Sequence, residues 1–448
     1  MDAAWSPDPE CIAYSQGNDL YIASSSGSDS RKIATLSGMV RAIRWSPDGR
    51  SLRFLLDNRS TRKRSFWEIS TDGGGLHELL PEWEGRLRDS GLSSTQDGKY
   101  LFFAGSQNGR TDLWSARQSL SLWSRSRIRP TRLTFGPLEF DYAVPSTDGK
   151  HLFSIGSQLR AELARLDVTT KQFRPYLPGI PANALDFSRD GQWIAYTTYP
   201  DLTLWRSKID GSERLQLSYA PLRAPHHPAW SPDGKSIVFT AIGSANHWGV
   251  YIVSAGGGDP RLLSAPDQVD AEASWSPDGT TVIFSGLPWA DVDAKKATAI
   301  RLLELKTNQR SILPGSEGFW EPRWSPNGRF VVAITADAKK VMIYDFKSRE
   351  WGELVAMPNV NNAVLNAVLN AVWSRDSRQV YFDSFEAGEP AIYRVDLATH
   401  RVTQLVTLRD FRRTFLVSPT MTLTPDDSPV LLRDTGIEEI YALDLAVE

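Results

Sequence analysis

Apolar residues in this chain gather into short runs rich in β-branched and aromatic side chains, such as Gln192-Trp-Ile-Ala-Tyr196, Ser236-Ile-Val-Phe-Thr240 and Thr281-Val-Ile-Phe-Ser285. Runs this short, bounded by turn residues, predict strands. After a variable loop comes a second run, as in Thr203-Leu-Trp-Arg206, Gly249-Val-Tyr-Ile-Val253 and Ala391-Ile-Tyr-Arg-Val395. A polar turn follows (Asp72-Gly-Gly-Gly75, Asp210-Gly-Ser212, Gly256-Gly-Gly-Asp259), then a short apolar run such as Arg261-Leu-Leu263. Helical period is missing almost throughout. The exception, residues 360–372, repeats Asn362-Ala-Val-Leu365 at 366–369 and reads as a tandem duplication that lengthens a loop rather than as a helix.

One phrase punctuates the strands. Trp45-Ser-Pro-Asp-Gly49 returns at 230–234 and 275–279, and with Asn at 324–328. Looser copies start at Trp5, Phe187 and Trp373, and degenerate ones surround Asp97, Asp148 and Asp426. Aligned on Asp or Asn, the ten copies are spaced 40 to 51 residues apart, the range of four-stranded propeller blades. Pro fixes φ, Asp bonds the backbone locally and Gly tolerates positive φ, so the phrase is a tight turn after a strand ending at Trp. The fold expected is all-β, a β-propeller of about ten four-stranded blades.

These Trp-Ser-Pro-Asp-Gly units resemble the WD40-like (PD40) repeats of TolB-type β-propellers. The segment Thr203-Leu-Trp-Arg-Ser-Lys-Ile-Asp-Gly-Ser-Glu-Arg-Leu-Gln-Leu217 and the stretch from Pro425 to Asp444 are further similar to the propeller region of bacterial winged-helix transcription regulators. That resemblance implies a chain entering partway through such a region, and a propeller acting as a sensing or interaction platform. It does not carry DNA binding over, because the winged helix itself is not matched.

Ten units exceed the usual four to eight blades of one ring. The expected division is a partial propeller of three blades over 1–136, a remnant of a preceding ring, and a seven-bladed ring over 137–448. The seam is placed at the longest spacings, around Asp97 and Asp148.

Composition narrows the function classes. A net charge of −3 argues against general affinity for nucleic acid or anionic membrane. The single Cys11 excludes intrachain disulfides and thiolate metal clusters. No apolar run reaches the length of a membrane span and no signal peptide is evident, so the compartment expected from the sequence as written is cytoplasmic, or periplasmic within a membrane-anchored parent.

Candidate chemistry is sparse. The motif residues Trp5, Asp8, Trp45, Pro47, Asp48, Gly49, Trp230, Pro232, Asp233, Gly234, Trp275, Pro277, Asp278, Gly279, Trp324, Asn327, Gly328, Trp373 and Asp376 are read as structural, since Asn327 keeps the turn bond without the charge. The Trp residues suit packing between blades better than ligand stacking. His226, His227 and His247 are weighed as a metal site and set aside for want of ligand spacing. No nucleophile elbow, phosphate loop or zinc-protease signature is present. Two basic clusters, Arg59, Arg62, Lys63 and Arg64, then Arg117, Arg125, Arg127, Arg129 and Arg132, are read as solvated loop charge; Leu122 and Trp123 within the second raise the case for a protein contact.

The function expected is therefore a non-catalytic propeller that binds a protein or small ligand at one face, without cofactor, metal or direct nucleic-acid binding. The alternatives are the detached sensory half of a winged-helix regulator and the accessory propeller of a peptidase-type enzyme.

Overall fold

The computed structural model describes residues 2–58, 61, 63–107, 109–118, 129–288, 298–356, 368–384, 390–414 and 420–445. Among these, strands assemble into ten antiparallel sheets, nine of them four-stranded. The chain forms two compact units, residues 1–159 with 436–448, and residues 160–435.

The second unit is a closed six-bladed propeller. Its innermost strands are Ala182–Phe187 (blade 1), Arg223–Trp230 (blade 2), Asp270–Trp275 (blade 3), Phe319–Trp324 (blade 4), Val368–Trp373 (blade 5) and Met421–Leu423 (blade 6). Blades 1 to 5 are each one contiguous up-and-down sheet. Blade 6 is composite: Met421–Leu423 and Pro429–Asp434 form its inner half, Ala161–Asp167 and Gln172–Pro175 its outer half. Joining distant segments in one sheet locks the ring and hides strand edges. At the joint, Tyr176 of blade 6 sits 6.4 Å from Phe187 of blade 1, and Thr420 Oγ1 donates to Asn183 O.

The first unit is an arc of four sheets, three contiguous and the fourth built from Glu139–Pro145, His151–Gln158 and Ile437–Asp444. Hydrophobic cores fill the spaces between successive sheets, while Trp5 in the first and Val144 and Ile440 in the fourth are exposed.

This partition differs from the division at 136/137 and from a seven-bladed ring over 137–448. Two repeats exchange halves. The repeat at Asp148 sends His151–Gln158 to the arc and Ala161–Asp167 to the ring; the last repeat sends Pro429–Asp434 to the ring and Ile437–Asp444 to the arc. Sequence counting assigns each repeat whole, so it gains one blade in the ring and loses one from the arc. Residues 357–367, with most of the duplicated segment, lie outside the described residues, and Val368–Trp373 is strand.

Motif tryptophans tie neighbouring blades. Trp275 Nε1 donates to Ala229 O at 3.0 Å, Trp373 Nε1 to Arg323 O at 3.0 Å and Trp45 Nε1 to Ala4 O at 2.9 Å, each acceptor preceding the motif aromatic of the blade before. Blade 1 carries Phe187 at this place, and the buried Trp230 Nε1 has no hydrogen-bond partner. Replacing each indole by phenylalanine should therefore separate packing from hydrogen bonding. Trp275→Phe is expected to cost about 1 kcal/mol more than Trp230→Phe in urea unfolding, the net value of one buried hydrogen bond. Equal losses would show that the inter-blade bond contributes nothing.

Candidate functional site

The predicted motif residues lie at the inner-strand ends and the turns beyond them. Ser Oγ donates to the motif acceptor at 2.6 Å for Asp8, Asp48, Asp233 and Asp278, 2.7 Å for Asp376 and 2.8 Å for Asn327. The same acceptor takes a backbone N–H two residues on, as from Lys235 to Asp233 and Arg329 to Asn327. Hydrogen bonds from the motif serine hold the Asp48, Asp233 and Asp278 carboxyls below the usual range. Gly49, Gly234, Gly279 and Gly328 have φ of 70°, 69°, 72° and 78°, which L side chains adopt at a cost. Pro232 lies beside Gly279, and Pro277 beside Gly328, of the next blade. Pro47 stands in the equivalent turn of the arc's second sheet.

On the ring axis the turns of the ring's own blades surround a cavity of about 700 Å³. Trp230, Trp275, Trp324 and Trp373 line it, so the motif aromatics border both the inter-blade core and the cavity. Its distinctive chemistry comes from another position, three residues before the motif aromatic. In blades 1 to 6 this position holds Ala184, His227, Glu272, Glu321, Asn370 and Thr420.

A β-bulge delivers these side chains. Register breaks between His226 and Ala229, Ala271 and Ser274, Trp320 and Arg323, and Leu369 and Val372. His227, Glu272, Glu321 and Asn370 have φ of 44°, 59°, 54° and 54°, strained for residues with a β-carbon. Bulges recur where a strand must re-aim a side chain. The N–H groups they release find side-chain partners: Glu272 N donates to Thr240 Oγ1 at 3.1 Å and Glu321 N to Ser285 Oγ at 3.2 Å. The Asn370 N–H bonds the Glu321 carboxyl.

The result is a buried polar network. His227 Nδ1 lies 2.7 Å from Glu272 Oε2, and Arg323 Nη2 lies 3.0 Å from the same oxygen. Arg323 Nη2 stands 3.6 Å from Glu321 Oε1, beyond hydrogen-bond length, and Glu321 is 3% exposed. Neither Glu321 Oε1 nor His227 Nε2 has a hydrogen-bond partner. On blade 5, Asn370 Nδ2 donates to Asp383 Oδ1 at 2.9 Å, and Arg413 Nη2 meets Asp383 Oδ2 at 2.5 Å. Asp186, one residue before Phe187, lines the cavity from blade 1 and accepts the Trp230 N–H at 2.7 Å.

Burial decides the protonation of this network. It pushes the Glu321 carboxyl up to about 8, with Arg323 opposing and Glu272 and Asp383 reinforcing. Burial likewise raises Asp186 to about 6, against the N–H groups of Trp230 and Phe187. It would raise Glu272 too, but His227 and Arg323 together outweigh it and bring this carboxyl to about 2. Burial, then His227, holds His226 well below the ordinary histidine range.

Among its described residues the arc offers no equivalent. Its cavity of about 290 Å³ lies among Arg44, Trp45, Arg53 and their neighbours. Three before its motif positions stand Asp2, Ala42, Gly91 and Tyr142, and the Asp2 carboxylate is engaged by the Ala42 N–H.

Other sequence candidates do not join the axial group. His247 faces the carbonyls of Trp248 and Pro266 at 3.0 and 2.7 Å, apart from His226 and His227. Among the described residues no group of three or more His, Cys, Asp or Glu is arranged to hold a metal ion, and no helix is long and apolar enough to cross a membrane. In the basic clusters, Lys63 pairs with Glu78, Arg64 with Asp57 and Asp89, and Arg132 with Asp112. Arg59, Arg62, Leu122, Trp123, Arg125 and Arg127 lie outside the described residues.

No protein-family model matches the chain, and no curated protein matches it. Among solved structures it is similar to a putative TolB from Agrobacterium tumefaciens, with 16% identity, a TM-score of 0.49, and 62% of this chain and 99% of that one covered. It is also similar to TolB from Acinetobacter baumannii, at 15% identity and TM-score 0.26 over 72% of this chain and 65% of that one. An oligogalacturonate lyase in complex with manganese is similar at 14% identity and TM-score 0.35, over 80% of this chain and 90% of that one. Identities this low carry no residue and no activity across to this chain.

Proposed function

We propose that this protein is a non-catalytic binding propeller, which takes a ligand or a segment of a partner protein into the axial cavity of residues 160–435. The observation that carries this reading is the buried polar network of His227, Glu272, Glu321 and Arg323, presented by strained bulges beside a cavity of about 700 Å³. Backbone strain and unpartnered buried polar atoms are costly, and they cluster where a site is built for something else to meet. The motif serines favour binding over catalysis: Ser231, Ser276 and Ser325 each donate to their own Asp or Asn and accept a backbone N–H, which suits turn-building, not attack.

The sequence similarity of 203–217 and 425–444 to winged-helix regulators favours one version of this reading, in which the cavity is the sensing site of such a regulator. An in-frame winged helix encoded upstream would support that version, and an unrelated gene there would remove it.

A cavity-filling substitution tests the general reading. Val372→Trp, on the blade 5 wall, also adds bulk against the core between blades 5 and 6, so its urea midpoint is compared with the parent first. In folded protein it should abolish thermal shifts that a panel of small metabolites and short peptides produces in the unmodified protein. Shifts that persist unchanged in Val372→Trp would place binding elsewhere. Turnover of any panel compound, lost with a single side chain, would overturn the non-catalytic reading.

A further inference from the structure

We propose that the axial cavity is selective for an organic cation, an ammonium or guanidinium group, received between Glu321 on blade 4 and Asp186 on blade 1. This inference rests on the reading of the cavity as a binding site and names the chemistry it takes.

The argument begins with which groups already have partners. Arg323 lines the cavity and is engaged: Nη2 by Glu272 Oε2 at 3.0 Å, Nη1 by the carbonyls of Glu272 and Pro322 at 3.4 and 3.2 Å. Arg413 is engaged by Asp383. The remaining guanidiniums of the lining, Arg189 and Arg375, are exposed. The guanidiniums named here are thus paired or exposed, and the unpartnered buried groups of the lining include Glu321 Oε1, His227 Nε2 and the Trp230 indole N–H. Glu321 Oε1 has no hydrogen bond, although its residue is 3% exposed, and its ion-pair contact with Arg323 Nη2 is a long 3.6 Å. His227, whose Nδ1 faces Glu272 Oε2 at 2.7 Å, has no partner at Nε2; that atom donates when the ring is charged and so does not itself favour a cation. The Thr420 hydroxyl hydrogen is turned away toward Asn183 O, which leaves its oxygen lone pairs as acceptors.

Placement adds to this. In a ring of six, blades 1 and 4 are opposite, so Asp186 and Glu321 approach the axis from opposite sides. A donor-rich cation that enters the cavity would meet a carboxyl from each of these two blades. The groups facing Glu321 are Arg323 on its own strand, Glu272 from blade 3, and Asp383 with the Asn370 N–H from blade 5. Two of these are carboxylates, which repel a second negative charge nearby. Burial and those two neighbours keep Glu321 protonated at neutral pH in the empty cavity. An entering cation reverses that balance: the Glu321 O–H bond breaks, its proton leaves to buffer, and a charge-assisted contact replaces it.

Isothermal titration at pH 7 tests this with putrescine and L-arginine methyl ester as free cations, a lysine-bearing hexapeptide as a tethered one, and citrate as the anion. Titration in two buffers of different ionisation enthalpy counts protons. Expected are binding of at least one cationic probe, release of close to one proton per cation, and loss of both in Val372→Trp. Glu321→Gln, nearly isosteric, should weaken binding tenfold or more and abolish proton release. Asp186→Asn should weaken binding tenfold while proton release remains. Peptide binding without free-amine binding would mark the source as a protein segment, and the reverse a small molecule; both support the proposal. Citrate binding that Val372→Trp removes, with no cation bound, would overturn it and leave the binding reading standing. Cation binding unchanged in Glu321→Gln would also overturn it. No cavity-dependent binding of any probe or panel compound would overturn both.

Discussion

Arg413→Met should destabilise the 160–435 ring by about 3–5 kcal/mol, the cost of removing one partner from a buried ion pair. The Arg413 and Asp383 side chains are 4% and 0% exposed and meet at 2.5 Å. Without the guanidinium, Asp383 keeps the Asn370 amide at 2.9 Å but no counter-charge. The pair also ties blade 5 to blade 6, since Asp383 belongs to blade 5 and Arg413 to the segment entering blade 6. Its loss should therefore lower the urea midpoint of the ring, leaving the arc's transition in place. The double variant Arg413→Met with Asp383→Asn should recover most of the loss, because neither charge is then left buried alone. A single variant within about 1 kcal/mol of the parent protein would contradict this account.

Much of this fold was legible in the sequence because it is written locally. Apolar runs of strand length, the Pro-Asp-Gly turn and the repeat spacing define a blade without reference to anything distant, and the all-β class follows from them. The partition was not legible, for a physical reason. Only Leu159 and Arg160 separate His151–Gln158 from Ala161–Asp167, and only Thr435 and Gly436 separate Pro429–Asp434 from Ile437–Asp444. Two residues between apolar runs are the signature of a tight hairpin. Here each pair parts into different sheets, and each strand finds a partner from the other end of the chain, as His151 opposite Asp444 and Ala161 opposite Asp434 show. Local pattern cannot distinguish a hairpin from such an exchange.

The candidate site was half legible. The motif drew attention to Trp, Asp and Gly, whose chemistry is engaged in turns and packing. The residues that give the cavity its character, His227, Glu272 and Glu321, stand three before the aromatic, in strands that read as ordinary inner strands. A charged residue at the same offset in successive repeats was a visible signal. What hid its meaning was the bulge, since no glycine marks the positive φ of Glu272 or Glu321.

That bulged glutamate should also make the ring less stable as pH rises from 6.5 to 8, by about 2 kcal/mol. The ordinary glutamate value is 4.5, and burial, with Glu272 and Asp383, takes folded Glu321 to about 8 against the pull of Arg323. The folded chain thus keeps a proton that the unfolded chain gives up. This contribution is complete below 4.5 and is lost as pH climbs to about 8. Other axial groups act elsewhere on the scale. Asp186, raised by burial to about 6, has the same sign in a lower window. Glu272, brought to about 2 by His227 and Arg323 against its burial, contributes in full above the ordinary glutamate value. His226, held down by burial and then His227, favours the folded state above 6.5 and loses that advantage as pH falls below it. Below 6.5, His226 therefore opposes Glu321, and above 6.5 Glu321 stands alone among these groups. Urea unfolding at half-unit steps from pH 6.5 to 8 should show the decline in the parent protein and a flat profile in Glu321→Gln. The variant should be the more stable of the two at pH 8, because an amide can fill the same place without ionising. A decline of the same slope in Glu321→Gln would assign the titration to another group and remove Glu321 from the centre of the axial network.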